Sequence, residues 1–84
     1  MLFSDLQFIL NEAKIVGKLP KKKIKYISDH SKNVDGNTLL VINQNKNFKL
    51  SYLKEAISKN LHTIITNVFL KKCSLNQVIV KDLD

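Results

Sequence analysis

The chain has no arginine and no tryptophan, and only one cysteine, one proline and two glycines in 84 residues. Each shortage excludes something. With Cys73 alone, neither an internal disulfide nor a cysteine-based metal cluster can form. Gly17 and Gly36 are too far apart for G-x-G-x-x-G, and G-x-x-x-x-G-K-[ST] is absent, so no phosphate-cradling loop for ATP is visible. No apolar run approaches the roughly 20 residues that span a bilayer. The start, Met1 to Leu6, carries an early acid and no basic n-region, which is unlike a signal peptide. These absences point to a cytoplasmic chain with no membrane partner.

What is present suits one small domain over residues 1–84. An apolar fraction of 44% is enough to build a core and argues against disorder. The formal net charge of +7 raises nucleic acid as a partner. The composition weighs against it, because every cation is lysine and no guanidinium can grip a base edge or phosphate bidentately. Only Lys21-Lys22-Lys23 is dense, and no cluster of stacking aromatics accompanies it.

Hydrophobic periodicity divides the chain. Leu6, Phe8, Ile9, Leu10 and Ala13 form a partly helical pattern, with Ser4 as a candidate cap. Gly17 and Pro20 end it. Lys23 to Ser28 alternates polar and apolar residues like a half-buried strand. Thr38 to Asn43 is almost continuously apolar, as in a strand buried on both faces. Ser51 is a candidate N-cap for a helix whose Leu53, Ala56, Ile57 and Leu61 share one face, and Asn60 can end it with positive φ. Thr63 to Thr66 and Gln77 to Lys81 read as further strands, separated by an irregular piece, Val68 to Leu75. The order predicts an α/β fold with a small mixed or parallel sheet of about four strands flanked by helices. Its strand–helix–strand unit from Leu39 to Ile65 implies a parallel pair.

Catalytic chemistry has little support. His30 and Ser31 are adjacent, and neighbours on an extended chain point to opposite faces, so they do not form a hydrolytic pair. His62 stands at the mouth of a strand and reads as structural. Two distant histidines and scattered carboxylates lack metal-ligand spacing. Cys73, flanked by Lys71 and Lys72, could be a thiol activated by nearby cations, but a small buried or half-buried side chain is the favoured reading. What remains is two polar loops, Asp29 to Asn37 and Asn43 to Lys49, rich in hydroxyl, amide and ammonium groups. If the strands ending near Ser28 and Ile42 are parallel neighbours, both loops leave the carboxyl edge, where open α/β sheets bind ligands.

The loop sequences carry a resemblance. Ser31-Lys32-x-Val34-x-x-Asn37-Thr38-Leu39-Leu40-Val41 resembles the Ser-Arg-x-Val-x-Pro-Gly-x-Leu-Phe-Val pattern of the Mur ligases. Tyr52-Leu53-x-x-Ala56-Ile57-x-x-Asn60 resembles the Phe-Ile-x-x-Ala-Ile-x-x-Gly that follows, and Val78-Ile79-Val80-x-Asp82 the last strand of that family's first domain. The likeness covers residues 24–82 and is greatest to the UDP-N-acetylmuramoyl-tripeptide synthetase type. Lys32 stands where the family has arginine, and Asn43 to Lys49 is a shortened form of its Gly-rich loop.

The resemblance implies that the chain is the first of three domains of an ATP-dependent amino-acid ligase in peptidoglycan precursor synthesis. This domain would hold the UDP end of UDP-N-acetylmuramoyl-L-alanyl-D-glutamate. Ser31 would hydrogen-bond the UDP portion, Asp29 and His30 would set backbone groups near the uracil, and Asn45, Lys46 and Asn47 would form the second wall. ATP, Mg²⁺ and the catalytic groups would belong to the central and C-terminal domains, leaving this fragment without cofactor, metal or catalytic residue of its own. The contrasting readings are a free-standing basic α/β module for RNA or a protein partner, and a scaffold domain with no ligand.

Overall fold

The computed structural model describes residues 1–30, 33–43, 50–71 and 73–81. Its centre is a mixed five-stranded sheet. The strands are β1 (Lys14–Val16), β2 (Tyr26–Ser28), β3 (Thr38–Ile42), β4 (Thr63–Thr66) and β5 (Asn76–Ile79). Their spatial order is β1-β5-β4-β3-β2. The four strands from β2 to β5 are mutually parallel, with pairings such as Ile27 to Leu39, Val41 to Ile65 and Ile64 to Gln77. β1 runs antiparallel to β5, with Ile15 opposite Val78.

The sheet has one strand more than the sequence suggests, because three residues are too few to display a period. Lys14–Val16 becomes a strand only through its bonds to β5. The interval from Lys23 to Ser28 is also less regular than its alternation predicts. Only its end is β2, while Lys23 makes an isolated bridge to Leu2. β5 begins one residue before the predicted strand and ends at Ile79.

Both faces of the sheet are covered. On one face, helix α2 (Leu50–Ser58) places Leu53 and Ala56 against Leu40, Ile42 and Ile64. Val34, Leu61 and Leu75 complete that cluster. The alternation of Leu40 and Ile42 with Leu39 sends Leu39 to the opposite face. There it meets Phe3, Leu6, Leu19 and Val78. Thr38 and Leu39 to Ile42 thus read as nearly all apolar because both faces are occupied.

The N-terminal layer departs from the expected helix. A single 3-10 turn (Phe3–Asp5) leads into one turn of α-helix, α1 (Leu6–Ile9). Ser4 does not cap it. The Leu2 N–H donates to Asp5 Oδ2 at 2.8 Å, while the Phe3 N–H donates to the Lys22 carbonyl at 2.8 Å and the Ile24 N–H to that of Met1 at 2.8 Å. These bonds tie the chain start to residues 20–24, and the helix itself stops where Leu10 leaves the helical region at ψ 76°, ahead of the pairing of Lys14 with β5. Ser51 is likewise not a cap, since it lies inside α2. Asn60 ends α2 as expected, with φ 72° and its N–H donating to the Ile57 carbonyl at 3.0 Å.

Candidate functional site at the carboxyl edge

Because β2 and β3 are parallel neighbours, the condition set by the sequence holds. The segments leaving Ser28 and Ile42 emerge at the same edge of the sheet. β4 ends at that edge too, with Asn67 just beyond it. Ser28 is level with Leu40 and Ile64, so Asn67 lies two strands across and three residues further along, roughly 14 Å from Ser28.

Local bonding shapes each rim. After β2, the His30 N–H donates to Ser28 Oγ at 3.0 Å, turning the chain sharply out of the strand. His30 Nε2 lies 3.5 Å from Asp29 Oδ1, with both side chains 78% exposed. A pair so open to water adds little to stability and leaves both groups accessible to a ligand. Asn67 Nδ2 donates to Asn43 Oδ1 at 3.1 Å, so a half-buried amide pair bridges the ends of β3 and β4. Asn67 is absent from the sequence-derived set. Only the β3–β4 pairing reveals that it adjoins Asn43. Of the predicted residues, Asp29 and His30 come together on this rim. Ser31, Asn45, Lys46 and Asn47 lie outside the described residues.

The opposite, amino edge is a structural joint. His62 Nε2 is 2.8 Å from the Gly36 carbonyl and Nδ1 is 2.7 Å from Thr63 Oγ1. A carbonyl only accepts, so Nε2 carries the proton in the neutral ring and the Thr63 hydroxyl donates to Nδ1. Phe3 packs edge-on against this ring at a centroid distance of 4.6 Å. The imidazole thus ties β4, the turn before β3 and the N-terminal layer together, as its structural reading suggests.

That turn is built on Asp35. Its Oδ1 accepts the Asn37 N–H at 2.8 Å and the Thr38 hydroxyl at 3.0 Å. The Asn37 bond foremost, then the Thr38 bond and the charges of Lys25 and Lys22, hold its carboxyl below the ordinary carboxylate range. A depressed native pKa adds stability that is complete above the unfolded value and is lost as pH falls through the native one. Stability should therefore decline on acidification below about pH 4, and Asp35→Asn should flatten that part of the curve. Urea midpoints of both proteins across that range check this; parallel curves would remove Asp35 as a contributor.

Lys21, Lys22, Lys23 and Lys25 are exposed beside this amino edge, away from Asp29 and His30. Among the described residues no group of three or more His, Cys, Asp or Glu side chains could hold a metal ion. No described helix is long and apolar enough to cross a membrane. Neither a family model nor a curated protein matches the chain.

Proposed function

We propose that this domain binds the UDP end of UDP-N-acetylmuramoyl-L-alanyl-D-glutamate, as the first domain of a cytoplasmic ATP-dependent amino-acid ligase of the Mur type. The observation that carries the reading is the parallel adjacency of β2 and β3, which starts both polar segments from one carboxyl edge. The motif beginning at Ser31 supplies the chemistry. Its hydroxyl bonds the UDP portion, the Asp29–His30 turn offers backbone groups to the uracil, and Asn45, Lys46 and Asn47 close the far side. Asn43 and Asn67 lie on the same carboxyl edge as that turn.

The domain's work in that enzyme is orientation. ATP phosphorylates the substrate carboxylate and the incoming amine attacks the acyl phosphate, both in domains beyond this sequence. A grip on the remote nucleotide holds that carboxylate in place, so binding energy is spent on alignment. A second reading rests on the exposed lysines at the amino edge, which would suit RNA.

An amide NMR titration with the UDP-dipeptide substrate, UDP and a short RNA separates the two readings. Shifts at Asp29, His30, Asn43 and Asn67 with both uridine compounds are expected. Ser31→Ala should weaken UDP binding by about 1 kcal/mol, the net worth of one hydrogen bond. Unchanged affinity would remove Ser31 from the site. RNA-induced shifts confined to Lys21–Lys25, with none from the uridine compounds, would replace the ligase reading.

A further inference from the structure

A second surface feature lies on the face of the sheet that carries α2. Parallel strands are usually joined by a crossover helix. β3 and β4 follow that rule, through α2. β2–β3 and β4–β5 do not: neither connection has a helix among its described residues, and Leu70, Cys73 and Leu75 of connection 67–75 pack on the α2 face. Where a second helix would lie beside α2, the structure has a groove of about 550 Å³. Leu53 and Ile57 of α2 form one wall, and Leu70 and Cys73 the other.

The groove is apolar and preformed. Ile57 is 40% exposed despite sharing a helix with buried Leu53 and Ala56. The opposite wall is held by Gln77, which is fully buried. Its Nε2 donates to the Leu70 carbonyl and its Oε1 accepts the Leu70 N–H, both at 2.9 Å. A wall fixed in this way loses little freedom when something binds. Among the described residues, the charged ones lining the groove are Lys54 and Lys71, with no acid beside them. A second copy of this chain, at net charge +7, is therefore a poor occupant.

We propose that this groove docks an amphipathic α-helix of a partner protein, with an apolar stripe seated between Ile57 and Leu70 and acidic residues meeting Lys54 and Lys71. The helix would take the place of the missing crossover helix and complete the layer, a helix-in-groove mode of recognition. The proposal is independent of the uridine reading, since the groove lies on the α2 face and shares no residue with the carboxyl rim.

The test uses the whole chain and a synthetic acidic helical peptide with leucines at i, i+3, i+4 and i+7. A control peptide carries lysine in place of every glutamate, and decanoate serves as a simple apolar anion. The acidic peptide should shift the amides of Leu53, Ile57, Leu70 and Cys73 and slow alkylation of the Cys73 thiol. Lys54→Glu with Lys71→Glu should weaken it about tenfold and let the lysine peptide bind instead. Both substitutions are at exposed positions, and an unchanged urea midpoint verifies the fold. Equal binding of the two peptides to the native chain, shifts elsewhere, no binding, or occupation of the groove by decanoate alone would each overturn the proposal.

Discussion

Phe3→Ala should cost about 3–5 kcal/mol, the usual loss for emptying an aromatic core site. A domain of this size has a total stability on the order of 4–12 kcal/mol, so the loss would be a large fraction of it. Phe3 is fully buried and is the largest side chain in the cluster with Leu6, Leu19, Leu39 and Val78. Its backbone is pinned by the bond to Lys22, so the surrounding chain cannot easily collapse into the space. The substitution also removes the ring against His62, the residue that joins the amino edge. Phe3→Leu refills most of the volume and should recover more than half of the loss. Urea unfolding of the three proteins, with an unchanged slope, measures this. A loss below about 1 kcal/mol for the alanine variant would mean that the N-terminal layer is not part of the cooperative core.

Gln77→Leu should cost about 2–3 kcal/mol by a different route. The leucine is similar in size and more apolar, so simple transfer favours it. Against that, Gln77 serves both backbone groups of Leu70 in the manner of a neighbouring strand. Removing the amide leaves a donor and an acceptor without partners at the edge of the core, and an unmet buried group costs more than a made bond contributes. The damage should be local as well as global. Hydrogen exchange at the Leu70 amide should rise well above the change at Ile64, in the centre of the sheet. Uniform acceleration, or none, would show that the amide does not anchor segment 67–75. The same variant should loosen one wall of the α2 groove and weaken the acidic peptide described above.

The best-read part of the fold is the stretch from Thr38 to Thr66. Its strand, helix and strand carry strong hydrophobic signals, and their pairing follows from the way a helix connects parallel strands. Asn60 was legible because few residues accept positive φ at a helix end. The sequence named two polar loops, and the β2–β3 pairing puts the starts of both on one edge. Asn67 was not legible, since its amide gains meaning only beside Asn43, which is distant along the chain.

Local pattern failed where a residue's state depends on a distant neighbour. Lys14–Val16 is a strand because β5 offers it an edge. The N-terminal helix stops short at Leu10 because the chain from Lys14 is drawn into pairing with β5. Ile57 has the helical spacing of a core residue and is still exposed, because no second helix among the described residues covers that side of α2. The sequence by itself determined the α/β class, the central crossover and the chemistry of the polar loops, all of which rest on short-range periodicity and residue type. Tertiary structure alone decided the antiparallel fifth strand, the joint around His62 and the open groove. Each of these is made by residues far apart in the chain, and no local window contains both partners.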